Sequence, residues 1–378
     1  MRRINIGLIG FGTVGSGIVK ILKEEGHHLK QKIGIELSLK RICDRDIVSR
    51  RKVKVNESIL TTNSKDIIDD PTIDIVIELI GGIHPAKEYI IESLRNGKHV
   101  VTANKALLAC EGKEIFDIAK KYSKNVYFEA SVCAGVPIIK AIKEGLIANH
   151  FLSIFGILNG TSNFILSKMP ETGESFSKTL EEAKKKGYTE KNPSLDIEGI
   201  DSAHKLAILV YLAFGKFIAL RDIFVEGISD ISLLDVRYAK ELNLAIKLLA
   251  IAKKTGSELE LRVHPTLISH SHPLASVKGI FNAVYIKTDL AGELLFYGEG
   301  AGQNSTASAV ASDLVDSSKD IKAGLFRPSY FSQTLKFFPK ILLKKEEEIK
   351  GVFPSLSVMT GVFSVMGKYS LYLSITPL

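Results

Sequence analysis

Along the first 140 residues, short apolar runs rich in β-branched side chains alternate with stretches whose apolar positions recur every three or four residues. The runs at 4–9, 35–43, 73–79, 99–102 and 126–128 predict strands, and 14–24, 85–96 and 113–121 predict helices between most of them. Strand and helix in this rhythm imply an α/β fold built on a parallel, doubly wound sheet. The run Ile73-Asp-Ile-Val-Ile-Glu-Leu79 is apolar enough to be buried on both faces, as a central strand must be. Near residue 140 the rhythm changes. A strand-like 151–158 precedes Phe176, Leu180 and Ala183 at helical spacing, stopping at Gly187. Longer helices are predicted at 201–214, closed by Gly215, and at about 234–254, closed by Gly256. Strands at 258–263, 281–287 and 293–297 make this second region α+β.

Composition narrows the class without choosing a function. A chain of 378 residues suits two or three domains, and 45% hydrophobic with 24% charged residues excludes a disordered chain. No apolar run reaches the roughly 18 residues that span a bilayer, so no membrane partner is expected. The net charge of +8 is dispersed, apart from short clusters at Arg50-Arg51-Lys52 and Lys184-Lys185-Lys186, which points to a solvated surface and not to a nucleic-acid face. Cys43, Cys110 and Cys133 form no CxxC pair, which argues against zinc and a disulfide framework and for a reducing, cytoplasmic setting.

Gly10-Phe11-Gly12-Thr13-Val14-Gly15 directly follows the first strand and opens the first helix, the context that a dinucleotide fingerprint needs. Gly10 permits the turn, Gly12 lets backbone approach a pyrophosphate, and Gly15 allows helix to pack on strand. The first domain is therefore expected to be a Rossmann domain. At the end of the second strand, Asp44 suits the ribose hydroxyls of NAD, whereas Arg45, Arg50 or Arg51 suits the 2′-phosphate of NADP, and both cofactors stay open.

Further along stand Thr102-Ala-Asn-Lys105, Glu129-Ala-Ser-Val132, Gly156-Ile-Leu-Asn-Gly-Thr-Ser-Asn163 and Gly187-Tyr-Thr-Glu190. Asp196-Ile-Glu-Gly-Ile-Asp201-Ser-Ala-His-Lys205-Leu206, Gly298-Glu-Gly-Ala-Gly302 and Thr306-Ala-Ser-Ala-Val310 complete the series. From residue 4 to about 315 the chain resembles the homoserine dehydrogenase family. The resemblance implies a monofunctional enzyme of threonine and methionine biosynthesis that reversibly reduces L-aspartate 4-semialdehyde to L-homoserine with NAD(P)H. It implies a Rossmann domain at 1–140, a catalytic and dimerisation domain at 141–320 with a helix from about 304 packing back on the first domain, and a tail at 321–378. A homodimer or higher homo-oligomer follows from the same resemblance.

Hydride addition to an aldehyde builds negative charge on the carbonyl oxygen, so a cation or proton donor must wait beside it. Lys205 and Lys105 are the candidates. Lys205 lies one turn after Asp201 on the same helix face, where the carboxylate can hold the ammonium. A surface ion pair and a helix N-cap are the plainer readings of these two, but the apolar run 206–214 argues for a buried helix. The resemblance gives Lys205, Lys105 and Asp201 to catalysis and Glu190 and Asp196 to the substrate. It places the cofactor at Gly10, Gly12, Thr13, Val14, Gly15, Arg45, Ile80, Lys105 and Gly302. It places a monovalent cation, sodium or potassium, at Glu129, Val132, Ala134 and Val136.

The chain departs from the family at Cys133 and Ala134, in a usually glycine-rich turn, and at Glu299 and Ser305, where proline is usual. After Ile349 it resembles one piece of a regulatory ACT module too short to be complete, which implies insensitivity to threonine. Two other readings are a dehydrogenase of another small amino or hydroxy acid and an NAD(P)-binding regulator without catalysis. The block from Glu190 to Lys205 counts against the first, and Lys105, Asp201 and Lys205 count against the second.

Overall fold

The computed structural model describes residues 2–327 apart from Arg50, Lys52, Glu190 and Lys191. The ACT-like stretch and the rest of the expected tail beyond Arg327 lie outside the described residues. The chain forms two compact units. The first comprises the residues up to Ile147, Ala207–Ala219, and the segment from Glu299 to Arg327; the second comprises Ala148–Leu206 and Leu220–Gly298.

In the first unit, six strands form one sheet: β1 (Arg2–Ile9), β2 (Ile35–Cys43), β3 (Leu60–Thr61), β4 (Ile75–Glu78), β5 (His99–Thr102) and β6 (Val126–Tyr127). Their order is β3-β2-β1-β4-β5-β6 and every pairing is parallel. The order reverses between β1 and β4, and a crevice at their carboxyl ends is where such sheets bind ligands. Alternation along β1 explains why both faces are covered. Ile4, Ile6 and Leu8 join Ile18 and Val19 of α1 (Thr13–Glu24), whereas Ile9 packs with Ile67 and Ile68. Gly7 faces the same side as Ile9, and a Cβ there would stand 2.3 Å from the Ile67 side chain.

Around this sheet run α2 (Gly26–Ile33), α3 (Lys65–Ile68), α4 (Ala86–Arg95), α5 (Lys105–Lys121) and α6 (Ile138–Lys140). The second unit supplies α7 (Gly160–Thr172), α8 (Phe176–Lys185), α9 (Ser194–Ile197), the start of α10 (Ile200–Phe214) and α11 (Leu233–Glu241). α12 (Gln303–Ala323) belongs to the first unit, where its Ala309, Val310 and Leu314 enter the core with α1.

The second unit holds β7 (Phe151–Ile157), β8 (Phe224–Val225), β9 (Leu244–Thr255), β10 (Glu258–Ser269), β11 (Phe281–Thr288) and β12 (Glu293–Glu299). Their order in one sheet is β12-β11-β7-β9-β10-β8. β9 corrects the sequence reading, which made 234–254 one helix. The helix stops at Glu241, and Asn243 takes φ 57°, the left-handed conformation that a glycine or asparagine supplies after a helix. From Leu244 the chain is a strand paired on both sides, with β7 and with β10. A strand buried on both faces loses its alternation, and its apolar run then imitates a buried helix. Gly256 closes a two-residue hairpin and not a helix, since Thr255 pairs with Glu258. Lys247 of β9 is buried, and its Nζ donates to Asn163 Oδ1 (3.1 Å), Ser167 Oγ (3.3 Å) and the Val277 carbonyl (2.5 Å). Burial lowers its pKa to about 8.

The left-handed turn at Asn243 gives a direct test. Asn243→Val should destabilise the protein by about 1–2 kcal/mol, because a β-branched residue is strained at positive φ. Asn243→Gly should leave thermal stability within about 0.5 kcal/mol of the parent. Equal midpoints for the two variants would show that this turn does not set the boundary between α11 and β9.

Candidate active site

Three glycines shape the turn from β1 into α1, each for its own reason. Gly10 has φ 105°, and a Cβ there would lie 2.7 Å from the Leu79 carbonyl group. At Gly15 a Cβ would lie 2.1 Å from the Gly10 carbonyl oxygen, so helix and strand could not pack. At Gly12 a Cβ would meet nothing within 4 Å. Gly12 and Thr13 are exposed, Val14 is half-buried, and no side-chain hydrogen bond caps α1. The open side of Gly12 and the uncapped helix start fit a pyrophosphate. Gly302, exposed at the start of α12, is brought to the same turn because Gln303 Nε2 donates to the Thr13 carbonyl (2.9 Å).

Just after β2, Asp44 and Arg51 stand together, with an Arg51 guanidinium nitrogen 3.7 Å from Asp44 Oδ1. Asp44 Oδ2 accepts from the Phe11 N–H (2.5 Å) and Oδ1 from the Asp46 N–H (2.9 Å), so this carboxylate braces the glycine turn. Arg51 lies against the turn, with Nε donating to the Phe11 carbonyl (2.8 Å) and its guanidinium 5.8 Å from the Phe11 ring centroid. Arg45 is exposed, and Ile80 stands 38% exposed just after β4. Lys105 is the first residue of α5, whose start is capped by Asn104 Oδ1 accepting from the Leu107 N–H (3.2 Å).

In the second unit, Asp201 and Lys205 form the expected i,i+4 pair, with Nζ 2.8 Å from Oδ2. The pair is buried, at 6% and 7% exposure, so the plain surface ion pair does not apply. Lys205 Nζ also donates to the Leu158 carbonyl (2.5 Å), at the end of β7. Asn159, which sequence reasoning quoted in a motif without giving it a role, joins the acidic groups. Its Nδ2 donates to Asp201 Oδ2 (3.0 Å) and to Asp196 Oδ1 (2.7 Å), while its Oδ1 caps α7 at the Ser162 N–H (2.8 Å). Thr161 and Thr189 hydroxyls each donate to Asp196 Oδ2 (3.1 Å). Asp196, Asp201 and Lys205 are thus brought together. Glu190 lies outside the described residues.

Glu129 is buried, and its carboxylate caps α6, accepting from the Ile139 and Lys140 N–H groups (2.9 Å each). Burial pushes its pKa up to about 7. Its own N–H donates to Asp313 Oδ2 (2.9 Å), a buried acid on α12 that the sequence did not reveal. In the following turn, Cys133 has φ 48°, the Val136 N–H donates to the Cys133 carbonyl (2.6 Å) and the Val136 carbonyl accepts from Ile138 (2.7 Å). Ala134 and Gly135 N–H groups donate to the Gly300 and Glu299 carbonyls (3.2 and 2.8 Å). Among the described residues no group of three or more His, Cys, Asp or Glu could hold a metal ion, so a cation here would rely on backbone carbonyls.

The parallel sheet, its glycine turn and a buried lysine–aspartate pair define a nicotinamide-dinucleotide-dependent oxidoreductase. Comparison with known proteins narrows this class. The homoserine dehydrogenase NAD-binding domain matches residues 10–129, and the homoserine dehydrogenase family matches 137–315. A homoserine dehydrogenase of Bacillus subtilis is 40% identical over 373 residues, covering 97% of this chain and 86% of the relative. One of Neisseria gonorrhoeae is 45% identical over 323 residues, covering 85% and 74%. The crystal structure of a homoserine dehydrogenase from Thiobacillus denitrificans superimposes with a TM-score of 0.84 at 45% identity, covering 90% of this chain and 80% of that one. A hyperthermophilic archaeal homoserine dehydrogenase in complex with NADPH gives 0.72 at 29% identity, covering 86% and 100%. The chain belongs to the homoserine dehydrogenase family.

The different reasons for the glycines predict different failures. Gly12→Ala should weaken NADPH binding about tenfold or more, as expected where backbone approaches a pyrophosphate, with little change in thermal midpoint. Gly15→Ala should lower the midpoint itself, since its Cβ meets backbone. Equal effects of the two on stability would show that Gly12 faces protein and not a ligand.

Proposed function

We propose that this chain catalyses the reversible reduction of L-aspartate 4-semialdehyde to L-homoserine with NAD(P)H. The observation that carries the reading is the buried Asp201–Lys205 pair, held by the Leu158 carbonyl and Asn159, in a chain of this family. The glycine turn and the starts of α1 and α12 fit the cofactor, which when bound supplies or accepts the hydride. As negative charge grows on the carbonyl oxygen, the Lys205 ammonium stabilises it and gives it a proton. Asp201, buried with it at 2.8 Å, orients that ammonium. Glu190 and Asp196 bind the α-ammonium of the amino acid, and Lys105 holds the substrate against the nicotinamide. In the oxidation of homoserine, Lys205 in its neutral amine form takes the hydroxyl proton and becomes the ammonium.

The oxygen-only donor set of Glu129, Val132, Ala134 and Val136 suits a hard monovalent cation. Such an ion would stiffen the turn that is tied to Glu299 and Gly300, where this chain lacks the family's usual proline.

Adding aspartate semialdehyde to the protein with NADPH or NADH should cause loss of the reduced-nicotinamide absorbance and formation of L-homoserine. No oxidation with either cofactor would contradict the activity. Lys205→Ala should lower turnover by about a hundredfold or more, the scale of a lost acid or charge stabiliser, while cofactor affinity stays unchanged. Near-parental turnover in a folded Lys205→Ala would remove this residue from the mechanism.

A further inference from the structure

Glu78, the last residue of β4, is fully buried at the carboxyl end of the strand where the sheet order reverses. Packing alone does not ask for a carboxylate here, since Ile75, Val76 and Ile77 already bury the strand completely. Removing a charge from water is costly unless each oxygen is hydrogen-bonded, and burial raises the pKa of this carboxyl. The bonds that offset the cost form a closed ring. Oε1 accepts from the Ile80 N–H (2.8 Å) and the Gly81 N–H (3.3 Å). Gly81 and Gly82 have φ 70° and 72°, so the turn presents successive N–H groups as a nest around the anion.

Oε2 accepts from the Thr102 hydroxyl at the end of β5 (2.7 Å), and Thr102 Oγ1 in turn accepts from the Asn104 N–H (3.0 Å). Asn104 returns the ring to its origin, with Nδ2 donating to the Gly82 carbonyl (2.6 Å) while Oδ1 caps α5. Lys105 is the next residue. Ile80 on one limb of the ring and Lys105 on the other are therefore fixed by one buried carboxylate.

We propose that Glu78 is a positioning residue for Lys105, acting through Thr102 and Asn104 to fix the start of α5 and the 80–82 turn in one arrangement. This rests on the part given above to Lys105 in hydride transfer. A side chain misplaced by about 1 Å can cost up to a hundredfold in rate, so a ring of short bonds at the base of Lys105 has catalytic consequence without touching substrate. Sequence reading passed over Glu78 because it sits inside an apolar run and matches no motif of its own.

The test combines Glu78→Gln and Thr102→Val with Lys105→Ala. Glutamine keeps an acceptor for the nest but offers an N–H to Thr102, whose hydroxyl proton then loses its acceptor; valine breaks the ring while leaving the nest filled. Each should lower kcat about tenfold or more, with the far-ultraviolet spectrum retained. In the Lys105→Ala background neither should lower kcat by more than about twofold further, because both act through the same residue. Parental kcat in Glu78→Gln, or the same loss with and without Lys105, would overturn the positioning role while leaving Lys105 in place. Parental kcat in Lys105→Ala would remove Lys105 from the reaction, and the role of Glu78 with it.

Discussion

A lysine and an aspartate held together out of water set the polar framework of the second unit. Desolvating two charges costs several kcal/mol per ion, and the attraction between them offsets this only when further hydrogen bonds satisfy what remains. In the second unit those bonds come from the Leu158 carbonyl and the Asn159 amide, the residues that join β7 to α7. Asn159 in turn caps α7 and reaches Asp196, so one polar cluster fixes the end of a strand and the starts of three helices, α7, α9 and α10. An apolar pair of similar volume would stabilise the fold as well or better. The arrangement therefore suits the part proposed for Lys205, an ammonium set beside a developing oxyanion.

The first unit repeats the device with backbone in place of lysine. Asp44 braces the glycine turn through the Phe11 N–H, Glu78 fills the nest after β4, and Glu129 caps α6. Each carboxylate stands near the carboxyl end of a parallel strand or just beyond it, the end of such sheets at which ligands bind. Turns that leave a strand or enter a helix sharply need unusual backbone angles, as Gly10, Gly81 and Gly302 show at φ 105°, 70° and 132°. Carboxylates hold the turns at Gly10 and Gly81 through backbone N–H groups. This separates the two tasks of the unit: strands and helices make the core through Ile, Val and Leu, while acidic groups set the loops.

How far the sequence could be read follows from which of these tasks is local. The strands at 35–43 and 99–102 have the bounds that β-branched runs predict, and the glycine turn declares itself by its position between a strand and a helix. The i,i+4 offset of Asp201 and Lys205 was legible because helical periodicity places them on one face. β9 was not, because a strand buried on both sides carries no alternation and its boundary is an asparagine, not a glycine. Glu78, Asn159 and Asp313 were also hidden, since each gains its meaning from a partner supplied by tertiary structure: Thr102 across the sheet, Asp196 beyond a helix, and Glu129 far along the chain. A lone carboxylate or amide in an apolar stretch gives no sign of what it will bind. The boundary between the two compact units falls inside α10, with Ala207–Ala219 counted in the first.

The claim at the centre is that Lys205 acts on the step in which hydride moves, and isotopic labelling tests it most directly. Reduced cofactor carrying deuterium at both hydrogens of the nicotinamide C4 should deliver deuterium to C4 of L-homoserine. The isotope effect on turnover in Lys205→Ala should be at least as large as in the parent, because loss of the ammonium slows hydride transfer itself. Product without deuterium, or an isotope effect in Lys205→Ala smaller than the parent's, would show that the buried lysine does not serve that step.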